Sequence, residues 1–372
     1  MNEKAYQLAL SFIPGIGDIL IKQLISYIGS AEAVFATSNS KLRKIPGIGE
    51  KIAESLKNTE NYFRKAEEEY EKVQKAGGVI LCYTDKDYPK KLKEINDAPC
   101  IVYYKGNGDL NNPKVISIVG TRSATSYGKR IVEEIISGVK DHNPLIVSGL
   151  AYGIDIHAHK TALKNGLETI GIMASGIDII YPGIHRKIAS QMIESGGIMT
   201  EYLTETKPDA PHFPTRNRII AGMADAVIVV EAAERGGALI TSELANGYNR
   251  EVFAVPGDLH SSYSEGCNKL IRNHKASILT NPKDIEYLLS WPESDQIPDE
   301  PVDLTELNEQ EKNIIRLLQS FTDGLMVDEL SWKSQIPINQ LASILLNLEF
   351  SGLIVSLPGK KYKLNLKSLF RK

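Results

Sequence analysis

Between residues 115 and 257, short apolar runs end one after another in glycine, serine, threonine or arginine. The segments read VISIVGTRSAT, LIVSGLAYGIDIHAH, FPTRNRIIAG, AVIVVEAAERGGALITSELA and VFAVPG. Continuous runs such as AVIVV (226–230) imply strands covered on both faces. Alternating with helical stretches, they specify an α/β chain with a doubly wound, mostly parallel sheet. Each junction places backbone N–H groups and small side chains at the carboxyl end of a strand, where such sheets bind phosphates and nucleotides.

Strands are expected at 79–83, 101–104, 115–120, 145–148, 168–173, 197–201, 226–231, 251–255 and 276–279. Helices are expected near 126–140, 154–165, 186–195, 214–223, 238–249 and 265–273. The sheet domain spans 77–288. Residues 1–76 form a separate helical block, with turns at Ile13-Pro14-Gly15-Ile16-Gly17 and Ile45-Pro46-Gly47-Ile48-Gly49. Its last helix, 58–76, has Asn58 or Thr59 as cap and Gly77 as stop. An acidic, Pro-rich linker (289–304) leads to residues 305–372, whose order of three helices and a hairpin is that of a winged helix. Pro337 would open its recognition helix and Pro358-Gly359 would turn the wing.

Composition narrows the function classes. Apolar residues are 42% and charged residues 24%, ordinary for a soluble globular chain. No apolar run reaches the roughly 18 residues of a membrane span, and MNEKAYQLAL is not a signal peptide. Cys82, Cys100 and Cys267 are too scattered for a disulfide framework or zinc cluster, so a reducing cytoplasm is expected and no metal or cofactor is implied. A net charge of −3 argues mildly against nucleic acid, but local cationic clusters outweigh the sum.

The paired PGIG turns have the form of helix–hairpin–helix units, in which a Gly-x-Gly turn aims N–H groups at a DNA phosphate. The bland alternative is a helix-connecting turn, and the two stand level. The second copy is the better candidate, with Gly47, Gly49 and Lys51 near Lys41, Arg43 and Lys44; the first has only Lys22.

In Gly120-Thr121-Arg122-Ser123, the glycine makes the turn, the hydroxyls donate to phosphate, and Arg122 offers a bidentate fork. The segment is neither a dinucleotide fingerprint nor a Walker A loop, so ATP hydrolysis is not expected. Ser148-Gly149 opens a similar junction. Nearby Asp155, His157 and His159 invite a metal, but helix positions two apart diverge by about 200°, so a structural role is expected.

Arg216-Asn217-Arg218 follows Phe213, a candidate stacking face for a base. One arginine is expected to reach a phosphate and the other to pair internally with an acid such as Glu231. Gly236 and Gly237 precede a helix bearing Thr241, another anion-ready terminus; Glu243 lacks a partner at fixed spacing and reads as structural. In the winged helix, INQLASILLNLEFSG holds no Lys or Arg, leaving Asn339 and Gln340 toward bases. Lys360, Lys361 and Lys363 on the wing suit phosphates, and protein docking suits that domain equally.

Taken together, VGTR (119–122), SGLAYGIDIHAH (148–159), ASGIDIIYPGIHRKIA (174–189), FPTRNRIIAGMADAVIVVEA (213–232), GGALITSELA (236–245) and VPGD (255–258) resemble the DprA/Smf family, in its order and over essentially the whole chain. The resemblance implies a Rossmann-like sheet flanked by a helix–hairpin–helix (SAM-like) domain and a winged helix. It implies a cytoplasmic, non-enzymatic protein that binds and protects single-stranded DNA. It further implies dimerisation through the Rossmann-like domain and loading of the RecA recombinase in natural transformation. Arg122 takes the place of the principal DNA-contacting arginine, with Gly120, Ser123, Phe213, Arg216, Asn217 and Arg218 around it. His185 stands where the family often has asparagine, while Arg186 and Lys187 keep that turn cationic; Gly236-Gly237 replaces a usual Ser-Gly.

The candidate DNA-binding set is therefore Gly120, Arg122, Ser123, Ser148, Gly149, Arg186, Lys187, Phe213, Arg216, Asn217, Arg218, Gly236, Gly237 and Thr241. Gly47, Gly49 and Lys51 form a secondary set. The rival expectation is a nucleoside monophosphate phosphoribohydrolase, resembling the lysine-decarboxylase-like enzymes at 236–241 and using Arg216 and Glu243. A transcription regulator led by the winged helix is a third.

Overall fold

Strands form where the apolar runs predicted them, and their parity explains why both faces are covered. In 115–119, Ile116 and Ile118 enter one core while Val115 and Val119 enter another, because successive strand side chains point to opposite faces. The structure, a computed structural model, describes residues 3–57, 59–291, 307–321, 324–357 and 361–364. Asn58, residues 292–304 of the linker, Pro358-Gly359, Lys360 and the basic tail beyond 364 lie outside the described residues.

Nine strands make the central sheet: β1 (Val79–Cys82), β2 (Ile101–Gly106), β3 (Val115–Val119), β4 (Leu145–Gly149), β5 (Thr169–Ile172), β6 (Gly196–Thr200), β7 (Ala226–Val229), β8 (Glu251–Ala254) and β9 (Ser277–Ile278). Their order is β1-β2-β6-β5-β4-β3-β7-β8-β9. β2 is antiparallel to both β1 and β6, and all other pairs are parallel. The chain steps outward from β3 through β4, β5 and β6, then returns to β3's other side with β7. The connections reverse there, so the crevice of this doubly wound sheet opens beyond the carboxyl ends of β3 and β7.

The N-terminal helices pack onto the β1–β2 side. Leu8, Leu24 and Val73 share a core with Ile80 and Tyr103. Polar anchors fix the contact: the Cys100 N–H donates to Asp18 at 2.8 Å, and Glu69 accepts from the N–H and hydroxyl of Thr204, each at 2.7 Å. Asp18 starts the helix after the first PGIG turn, so that turn faces the sheet domain. The second turn lies on the surface, with Gly47 at φ +84° and Lys41, Lys44 and Lys51 exposed. The helix Glu60–Lys75 starts at Thr59, which makes no side-chain cap, and ends before Gly77 at φ +74°.

The chain divides into two compact units, Met1–Ser294 and Asp295–Lys372. The second holds helices Glu309–Gln319, Val327–Ser334 and Ile338–Phe350. Its sheet comprises β10 (Leu325–Met326), β11 (Ile354–Leu357) and β12 (Lys361–Leu364), in the order β10-β12-β11. Among the described residues no helix is long and apolar enough to cross a membrane.

Candidate nucleic-acid interface

A cleft of about 440 Å³ opens at the point where the strand order reverses. Gly120, Thr121 and Arg122 enter it from the turn after β3, and Ala151 and Asp155 from the segment after β4. The helix Gly237–Gly247 contributes Gly237, Ile240 and Thr241 from its first turns. No side chain caps that helix at Gly236; the Gly236 and Leu239 N–H groups bond the Ala233 and Gly236 carbonyls at 3.0 Å each, so the N–H groups of Gly237 and Ala238 are the ones that can meet a ligand.

The opposite wall is the helix His212–Met223, which places Phe213, Arg216, Asn217 and Ile220 in the cleft. These positions follow i, i+3, i+4 and i+7, one helical face. Arg216 is buried; its guanidinium donates to the Ile172 carbonyl and, through Nε, to Asn217 Oδ1 at 3.3 Å. Burial lowers its pKa to about 10, with the charge of Asp155 opposing. Burial likewise pushes the Asp155 carboxyl up to about 6 against the pull of Arg216. The two face one another across Gly149, where a Cβ would lie 2.4 Å from Asp155 Oδ2 and 2.6 Å from an Arg216 nitrogen.

Arg122 remains exposed, its guanidinium carbon 5.2 Å from the centre of the Phe213 ring. The turn carrying it is tied down from behind. The Thr121 N–H donates to the Glu231 carbonyl at 2.7 Å, and the Glu231 carboxylate accepts from the Thr125 N–H and hydroxyl. The cleft therefore presents one exposed cation, a half-buried aromatic face and the first amides of a helix, with its buried acid already opposed by a buried arginine.

Of the expected residues, Gly120, Arg122, Phe213, Arg216, Asn217, Gly236, Gly237 and Thr241 line the cleft. Ser123 is exposed just outside, its N–H on Thr121 Oγ1. Ser148 is fully buried, its hydroxyl donating to the Ile118 carbonyl, and Gly149 is packed under Arg216. Both therefore shape the floor without facing a ligand. Arg186 and Lys187 are exposed at the start of the helix Arg186–Glu194, away from the cleft lining.

Arg218 requires a correction: it points away from the cleft and bonds Glu201 and the Asp97 carbonyl, beside Asp18 of the N-terminal helices at 3.9 Å. Two positions along a helix separate it from Arg216 by about 200°. Glu231 pairs with neither arginine, because Thr125 occupies its carboxylate. Glu243 is exposed and 2.7 Å from Lys275, outside the cleft lining. His159 is buried, with Nε2 2.7 Å from the Gly149 carbonyl, and burial drives its pKa down to about 4; His157 meets Glu133 at 3.0 Å. Sequence reasoning expected only a structural role of Asp155 and did not foresee Arg216 opposite it.

Residues 79–290, more than half of the chain, match the family described as DNA recombination-mediator protein A. The chain belongs to the DprA/Smf family. Residues 298–360 match the DprA winged helix domain and residues 8–59 a SAM-like helix-hairpin-helix tandem. Protein Smf of Synechocystis is 32% identical over 97% of this chain and 99% of its own length. DNA processing protein DprA of Streptococcus pneumoniae is 41% identical over 54% of this chain and 71% of its own.

Two solved structures extend the likeness to the fold. DprA from S. pneumoniae superposes with a TM-score of 0.65 at 33% identity, covering 77% of this chain and 97% of that one. DNA processing protein A from Helicobacter pylori, whose structure is described through a unique single-stranded DNA binding mode, gives 0.52 at 28%, covering 57% and 95%. In this DprA/Smf chain the VGTR turn and the FPTRNR helix are thus the two walls of one cleft.

Proposed function

We propose that this protein binds single-stranded DNA in the cleft beyond β3 and β7, protects incoming strands, and delivers them to the RecA recombinase during natural transformation. The observation that carries the reading is the convergence of Arg122, Phe213 and the uncapped Gly236-Gly237 helix start on one cleft. Arg122 supplies a guanidinium fork for a phosphate, Phe213 a π-face for a base, and the helix start fixed N–H donors. A π-face and phosphate ligands are common to every unpaired strand, so binding tolerates any sequence. Arg216 holds the floor by opposing Asp155, which keeps that acid from repelling phosphate. The single-stranded DNA mode of the H. pylori relative supports this assignment. Delivery to RecA rests on family membership.

The same reading makes a homodimer the working unit. β9 is a sheet edge, and Ile278, Tyr287 and Leu288 around it are exposed. Sedimentation of wild type against Ile278→Asp tests this, with a monomer expected for the variant.

Titration with an oligothymidylate at several salt concentrations tests the binding site. Each phosphate neutralised steepens the log–log salt dependence by about 0.7 for a single strand. Arg122→Ala is expected to weaken binding and flatten that slope by about this amount. An unaltered titration removes Arg122 from the site.

A further inference from the structure

Beyond the cleft wall, two tyrosines stand on the surface where a strand leaving Phe213 toward β4 and β5 would pass. Tyr152 and Tyr181 are each 48% exposed, whereas Tyr88 and Tyr103, which serve the core, are 1% exposed. The Tyr181 ring lies 6.0 Å from Phe213, tilted by 54°, and Phe213 in turn lies under Arg122. Arg122, Phe213 and Tyr181 therefore form a continuous row. Tyr152 directly follows Ala151 of the cleft lining and stands edge-on to His185, with ring centres 5.1 Å apart. His185 is buried and donates Nδ1–H to the Leu150 carbonyl at 2.9 Å, which locks residues 181–187 against the segment bearing Tyr152.

The same turn carries Arg186 and Lys187, both exposed and without an ion pair among the described residues. They do not line the cleft, yet they directly follow His185, which ties their turn to the segment bearing Tyr152, and come five and six residues after Tyr181. Exposed aromatic faces interleaved with free cations are the elements that hold an unpaired strand without regard to sequence.

We propose that Tyr181 and Tyr152, with Arg186 and Lys187, form a second stretch of the single-strand path, each tyrosine stacking one base while the two cations face the phosphates between. This rests on the cleft being the primary single-stranded DNA site, and it lengthens that site by at least two nucleotides.

The test is a fluorescence titration of the full-length chain with labelled oligothymidylates of increasing length, and with an abasic deoxyribose-phosphate strand of the greatest length. Tyr181→Ala and Tyr152→Ala are each expected to weaken the longest oligothymidylate by roughly 5- to 150-fold, the range of one lost base stack. They should leave the shortest binding oligothymidylate and the abasic strand unchanged, with Tyr181→Phe restoring wild-type affinity and all variants melting alike. Variants that match wild type at every length, or lose the abasic strand as severely, overturn the path. Arg122→Ala reports separately, since it should weaken every strand. Failure of the wild-type chain to bind any strand overturns the cleft reading and the path together; normal binding that ignores both tyrosines overturns only the path.

Discussion

Arg122 lays its guanidinium over Phe213, 5.2 Å from the ring centre, so the cation and the stacking face of the cleft reach solvent as one unit. A cation over an aromatic face at an exposed site is worth about 0.5–1 kcal/mol. The two groups should therefore be coupled in binding. Phe213→Leu, which keeps an apolar side chain, is expected to weaken single-stranded DNA by removing a stack and loosening Arg122. The double variant with Arg122→Ala should lose less than the sum of the two single losses, by about 1 kcal/mol. Strict additivity in that cycle would show that the rings and cations act independently.

Arg218 separates from Arg216 in the same way that a structural residue separates from a site residue. Its guanidinium is spent on Glu201 and the Asp97 carbonyl, at a side-chain exposure of 12%. Removing one partner of this part-buried pair leaves the other's polar atoms without their bonds, at a cost of about 1–3 kcal/mol. Arg218→Ala should thus lower the urea midpoint markedly while leaving the salt slope of DNA binding at its wild-type value. A flattened slope in Arg218→Ala would return this residue to the DNA-contacting set.

The difference between those arginines marks where the sequence is legible. The central strands β3 to β7 could be placed because buried parallel strands must be apolar throughout, and the Gly-rich junctions located the ligand end of the sheet. Which junctions meet was not visible, since the VGTR turn and the FPTRNR helix become neighbours only through the order β4-β3-β7. Helical periodicity did contain the signal that Arg216 and Arg218 face opposite ways. The acids that oppose them, Asp155 and Glu201, come from segments after β4 and β6, and spacing along the chain carries no trace of those contacts. Ser148 read as a phosphate donor because its type suits that role; strand parity turned it inward instead.

Gly153 shows how closely two of these junctions approach. It sits at φ +80°, and a Cβ there would lie 2.1 Å from the Thr121 carbonyl oxygen and 2.6 Å from the Arg122 carbonyl carbon. Alanine is therefore strained twice, by its backbone conformation and by a collision with backbone that cannot rotate away. Gly153→Ala should displace the turn that aims Arg122, reducing single-strand affinity about as much as Arg122→Ala and lowering Tm as well. Gly166→Ala is the control, because it shares a positive φ of +72° but meets nothing within 4 Å. Equal affinity for the two glycine variants would dissociate the turn's position from binding.

Glu201 gives the N-terminal helices a pH-dependent hold on the sheet domain. Its pKa is pushed up to about 7, first by burial and then by Asp18 and Asp97, which together outweigh the Arg218 guanidinium. A carboxyl that titrates near 4.5 when unfolded and near 7 when folded binds its proton more tightly in the native state. Its contribution to stability is then fully present below about pH 4.5 and is lost as pH rises through about 7. Asp155, raised to about 6, adds a slope of the same sign but is common to wild type and any Glu201 variant. Glu201→Gln, which holds a neutral group at this position at every pH, should cancel only the Glu201 share. Urea midpoints measured at pH 5 and pH 7.5 are expected to fall less steeply in Glu201→Gln than in wild type. Since Asp18 starts the helix after the first PGIG turn, hydrogen exchange in residues 18–28 should rise with pH in wild type beyond its intrinsic rate and do so less in the variant. Identical slopes in the two proteins would mean that Glu201 is ionised across the whole range, and that the Arg218 charge dominates after all.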